Sequence, residues 1–246
     1  METGEKEETM MPSSGTMKPV LQEDVRRVDD PAVRSLVRDA HSRMYKWPAG
    51  FDGYRAHVSL NDEGRIFTGT VMLIPRKDTI VDLLGADPET QDWVRERLWT
   101  QGMHLAHSPF EESDGKYILS FEPDDNPATP HPRGRKVLLT GGRLDSWYRI
   151  KDQQYTQIGR LTPMAERRVN TIERYDLAPD GRQYSSHYVM TYFTLDGQSV
   201  IGMESYVNEY IDVQGIWLPL RRRISCGEQG YVRTRVIELS NHRVAS

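Results

Sequence analysis

The sequence predicts an α+β protein: one large, curved antiparallel sheet, a half-barrel, with two N-terminal helices against its concave face. Three observations lead there. Helical periodicity is confined to two segments, both in the N-terminal half. From Lys116 onward the apolar positions recur with period two. The links between those later segments are short and carry Gly, Asp or Pro, which suits antiparallel neighbours and leaves no room for helical crossovers. A sheet of this kind must bury one face, and the two helices are the elements available to cover it.

Residues 1–29 are polar, charged and without a usable period, and read as a disordered leader. Residues 30–246 read as a single half-barrel domain. Asp30-Pro31 opens the first helix, since Asp caps well and Pro is favoured at the first helical position. Val33, Leu36, Val37, Ala40 and Met44 then form one face, and Trp47-Pro48 closes it. Tyr54, Ala56, Val58 and Leu60 alternate with Arg55, His57 and Ser59 along a first strand, and Asn61–Gly64 supplies a turn. The next strand, Arg65 to Ile74, is apolar on both faces and is expected to be covered on both. A third strand spans about Thr79 to Leu84. Asp87-Pro88 repeats the cap signal, and the second helix presents Val94, Leu98 and Leu105 before Pro109.

After a strand at Tyr117–Phe121, the stretch EPDDNPATPHPRG is too proline-broken for one. Strands follow near Lys136–Leu139, Leu144–Ile150, Tyr155–Leu161, Arg168–Leu177, Tyr184–Phe193, Val200–Ile211, Trp217–Cys226 and Tyr231–Leu239.

The net charge of -4 argues against a nucleic-acid footprint, which needs a clustered basic surface. A single cysteine, Cys226, excludes an internal disulfide and fits a reducing compartment. The first residues lack the basic start and apolar run of a secretory signal, and no segment approaches the ~20 apolar residues that span a bilayer. A cytoplasmic protein without a membrane span is the expectation.

Two stretches carry a resemblance. WPAGFDGYRAHVSLNDEGRIFTGTVML (Trp47 to Leu73) and LWTQGMHLAHSPFEESDGKYILSF (Leu98 to Phe121) resemble an uncharacterised domain-of-unknown-function family found chiefly in cyanobacteria. The family pattern of Trp, His, Phe-Glu and His-Gly-Lys is met by Trp99, His104, Phe110-Glu111 and Gly115-Lys116, with Asp114 where the family has its second His. The order of elements is similar to the bacterial lipoprotein-carrier class, which implies a half-barrel wrapped over helices around a cavity for acyl chains; fold alone does not license function.

Three groups are candidate sites. His104, His107, Glu111, Glu112 and Asp114 lie close together, but helical projection puts His104 at the flank and His107 nearly opposite the core face, so the span reads as a helix stop and no metal site or cofactor is expected. Tyr184, Tyr188 and Tyr192 share a strand face, Tyr206 and Tyr210 share the next, and Trp217 follows; such a wall suits an amphiphile, and equally suits ordinary cross-strand packing. Arg221 and Arg223 project together and suit an anionic head group, or pairing with Glu204, Glu209 and Glu238 on a solvated face.

These readings point first to a non-enzymatic binding protein for a lipid-like or other amphipathic small molecule. One alternative is an enzyme using the same cavity, with His104, Glu111 and His57 or His187 as acid–base groups. Another is a scaffold or assembly factor that meets a protein partner through a sheet edge or the leader.

Overall fold

The computed structural model describes residues 28–142, 146–161, 167–228 and 230–245. Most of the expected leader, and Leu144 at the start of one expected strand, lie outside these residues. Helix α1 (Pro31–Arg43) starts where the cap signal places it, with the Asp30 carboxylate accepting from the Ala32 and Val33 N–H groups and Val33, Val37 and Ala40 buried. Asp29, expected in the leader, is built into the fold: it accepts from the Leu119 N–H at 2.9 Å and pairs with Arg34 at 2.7 Å.

Strands β1 (Tyr54–Asp62), β2 (Arg65–Ile74) and β3 (Asp78–Leu83) form a meander. Helix α2 (Pro88–Leu105), capped by Asp87 onto the Thr90 N–H, buries Val94, Leu98 and Leu105. Two single-turn 3₁₀ segments, Phe110–Glu112 and Asp114–Lys116, then lead to β4 (Ile118–Phe121). A long meander follows: β5 (Arg135–Thr140), β6 (Ser146–Lys151), β7 (Gln154–Leu161), β8 (Arg167–Leu177), β9 (Gln183–Phe193), β10 (Val200–Val213), β11 (Ile216–Glu228) and β12 (Tyr231–Val244).

All twelve strands form one open antiparallel sheet in the order β3-β2-β1-β12-β11-β10-β9-β8-β7-β6-β5-β4. The β1–β12 pairing joins the first strand of the chain to the last inside the sheet. With β3 at one edge and β4 at the other, the intervening chain must travel from edge to edge. Helix α2 and the 3₁₀ joint make that journey across the concave face, which is why both helices cover the same side. The outer face of β2 is therefore left open, contrary to the expectation of cover on both faces, and Ile66 is 58% exposed.

Two cores sit side by side under the helices. One packs α2 on β1, β2 and β12 through Val94, Leu98, Leu105, Val58, Leu73 and Leu239. The other packs α1 on β4 to β11 through Val33, Val37, Phe110, Leu139, Tyr148, Tyr188 and Ile224. The β10–β11 hairpin turns tightly at Gln214-Gly215, both with positive φ, and carries a bulge at Glu209/Tyr210 opposite Pro219 to Arg221.

Candidate functional site

The tyrosine wall faces inward, but much of it is spent on docking α2. Tyr188 and Tyr206 stack at 4.6 Å, and Tyr184 lies 4.4 Å from Tyr210. Gln101 on α2 donates to the Tyr210 hydroxyl at 3.0 Å. Arg97, also on α2, donates to the Tyr206 hydroxyl and pairs with Glu204 at 2.8 Å, while Tyr192 and Tyr206 donate to the same carboxylate. Burial pushes the Tyr192, Tyr206 and Tyr210 hydroxyls upward, so they stay protonated donors. Trp217 helps hold the loop after α1: its carbonyl accepts from Trp47 Nε1, and its N–H donates to the Tyr45 hydroxyl.

Arg221 and Arg223 do not meet these tyrosines. The bulge shifts the register by one residue, so Tyr206 faces Ile224 and Asn208 faces Arg222. Arg221 projects from the outer face to Glu209 and Glu238, Arg223 is exposed beside it, and Arg222 turns inward. Arg222 is 3% exposed and donates to the Tyr188 hydroxyl at 2.7 Å and the Arg97 carbonyl at 3.2 Å.

His104 from α2 and Arg160 from β7 are exposed and Lys46, from the loop after α1, is half-buried, and the three basic groups lie close enough to act on one another. Desolvation, reinforced by Lys46, Arg160 and Arg222, holds the His104 imidazole well below its usual range and therefore neutral. Desolvation likewise lowers the Lys46 ammonium to about 8, against the pull of Asp114. Lys46 donates to the His104 carbonyl, tying the loop to the end of α2. Asp114 accepts from the Tyr148 and Tyr155 hydroxyls at 2.8 and 3.2 Å. On the sheet side, Ile158 shares the inward face with Tyr148, and Met190 faces inward beside Asn170.

The family-like joint divides. Phe110 is buried beneath α1, with the Arg38 guanidinium 4.8 Å over its ring, and Glu111 pairs with Arg38 at 2.8 Å. Glu111 thus serves α1 while His104 stands at the end of α2 beside Lys46. His57 lies on the outer face against Asn241, and His187 also faces outward, opposite Val207. No group of three or more His, Cys, Asp or Glu side chains that could hold a metal occurs among the described residues. Concavities of about 620 and 370 Å³, lined by Arg55, His57 and Met72 in one case and by Asp92, Arg95 and Trp99 in the other, lie away from the tyrosine wall.

Sequence reasoning missed Lys46, Arg160 and Arg222. Alternation from the inward Tyr155 would turn Arg160 outward, and the irregularity between Tyr155 and Gln157 reverses it; Lys46 sits in a loop without periodicity.

The model of the family described as "Protein of unknown function (DUF3386)" matches residues 28–244. The chain belongs to the DUF3386 family. No curated protein matches it. Among solved structures, this DUF3386 chain is similar to a domain from Vibrio parahaemolyticus described as belonging to an outer membrane lipoprotein-sorting protein, with 9% identity, a TM-score of 0.35, and coverage of 87% of this chain and 93% of that one. It is also similar to a DUF1329 family protein from Desulfovibrio piger, with 10% identity, a TM-score of 0.27, and coverage of 87% and 92%. No helix among the described residues of this DUF3386 member is long and apolar enough to cross a membrane.

Proposed function

We propose that the protein is a non-enzymatic binding protein for an amphipathic small molecule, held in a hollow between α1 and α2 on the concave face of the sheet. One observation supports this reading: Lys46, His104 and Arg160, supplied by three separate elements, come together beside the apolar Ile158, which shares the inward face of β7 with Arg160. Polar tips beside an apolar body suit a ligand with the same two characters. The apolar part would lie along Ile158 and Met190, which are only partly buried, at about 25 cal/mol per Å² removed from water. Tyr192 is the member of the tyrosine wall nearest this use, being less enclosed than Tyr188 and Tyr206. The acid–base alternative loses support because Glu111 is committed to α1 and His104 is held neutral by its surroundings.

A fluorescent fatty-acid probe titrated into the full chain is expected to show saturable emission. Ile158→Trp, which fills the hollow, should abolish that signal while leaving the circular dichroism spectrum unchanged. Absence of saturable binding, or binding indifferent to Ile158→Trp, contradicts the reading.

A further inference from the structure

Ion pairing on the concave face is uneven. Arg233 and Arg235 share the Asp62 carboxylate, and Arg97 takes Glu204. For three further cations, Lys46, Arg160 and Arg222, no ion pair to a carboxylate occurs among the described residues. Their acceptors are neutral: Lys46 donates to the His104 carbonyl, Arg160 meets the Tyr148 hydroxyl, and Arg222 donates to the Tyr188 hydroxyl and the Arg97 carbonyl. Asp114 acts on both Lys46 and Arg160 while accepting from the Tyr148 and Tyr155 hydroxyls, but its single charge does not offset all three cations. The case of Arg222 is the sharpest, since the residue is only 3% exposed and its Nε is buried with no hydrogen-bond partner. Burying a guanidinium against neutral oxygens is costly unless a counter-charge is supplied.

We infer that the missing counter-charge arrives with the ligand: an anionic head group, a carboxylate or a phosphate monoester, held between Lys46 and Arg160 with Arg222 behind them. This inference rests on the binding reading above and adds the chemical class of the head group. Guanidinium and ammonium donors suit both anions, Arg through its fork and Lys as a point charge. His104 completes the wall as a neutral ring that can donate a hydrogen bond without adding charge.

The test compares three ligands of one chain length, dodecanoate, dodecyl phosphate and dodecanol, by calorimetry on the full chain. At least one of the two anions is expected to bind about tenfold or more tightly than the alcohol, and the order of the two anions identifies which head group fits better. In a Lys46→Gln/Arg160→Gln double variant the gap should close while dodecanol affinity holds; an Arg221→Gln/Arg223→Gln double variant, altered only on the outer face, should keep the gap. Dodecanol binding as tightly as both anions overturns the head-group inference and leaves the binding reading standing. A gap that survives Lys46→Gln/Arg160→Gln also overturns it. Failure of all three ligands to bind overturns both.

Discussion

Replacing Asp62 with asparagine is expected to destabilise the fold by about 3–5 kcal/mol, the usual consequence of removing one partner from a buried ion pair. Asp62 ends β1 with a side chain only 2% exposed, and its two oxygens are shared by Arg233 at 2.7 Å and Arg235 at 3.2 Å on β12, with Arg65 at 2.8 Å. The pair sits on the β1–β12 seam, which joins the first strand of the chain to the last, so the variant leaves two half-buried guanidinium groups without their carboxylate at that seam. Urea unfolding of the two proteins measures the difference, and a loss below about 1 kcal/mol, the range of a surface ion pair, would contradict the assignment. The effect should also depend on pH. Burial works against ionisation of Asp62, but Arg233 and Arg235 outweigh it and hold the carboxyl at about 2. A carboxyl depressed in the folded state contributes stability above its unfolded pKa of about 4 and loses it as pH falls through the folded value. The gap between wild type and Asp62→Asn should therefore narrow by roughly 2 kcal/mol between pH 5 and pH 2, and a constant gap would show that the carboxylate is not held this way.

Trp47→Ala is the second large effect, at about 3–5 kcal/mol for a fully buried indole. Trp47 lies 4.9 Å from Phe51 and 6.3 Å from Tyr54, and its Nε1 donates to the Trp217 carbonyl on β11 at 3.0 Å. Its backbone N–H donates to the Leu105 carbonyl at the end of α2, so one residue holds the exit of α1, the end of α2 and the sheet together. Trp47→Phe should recover much of the loss, because it keeps an aromatic body and gives up a single hydrogen bond worth about 1 kcal/mol. Chemical denaturation of the three proteins orders them, and equal destabilisation by Phe and Ala would mean that the hydrogen bond rather than the packing dominates. Because Lys46 is the neighbouring residue, Trp47→Ala should also weaken ligand binding at the hollow.

The elements were legible in the sequence because local chemistry decides them. Asp30-Pro31 and Asp87-Pro88 start helices by capping, the period-two runs make strands, and the Gly-bearing links set antiparallel order. Which face a residue meets depends on register, and there the sequence is less direct. Counting back from the Gln214-Gly215 turn without an irregularity pairs Tyr206 with Arg223 and Asn208 with Arg221, placing both arginines beside the tyrosines. One inserted residue opposite Glu209 and Tyr210 reverses this, turning Arg221 and Arg223 outward and Arg222 inward. Pro219, which has no N–H to give to the ladder, lies at that point and is the one local signal of the irregularity. Helical projection puts His104 at the flank of α2, but the cations that act on it come from a loop and from separate strands, a grouping that no local pattern encodes. Glu111 was grouped with His104 by proximity in sequence, whereas the 3₁₀ joint carries it under α1.

The binding reading is tested most directly by native mass spectrometry of the full chain, purified without detergent or organic solvent. The expected spectrum contains, beside the bare polypeptide, a species of higher mass that loses a small molecule on gentle collisional activation and is missing from Ile158→Trp. A spectrum containing only the bare polypeptide mass, from protein that also fails to take up an added fatty acid, would contradict it.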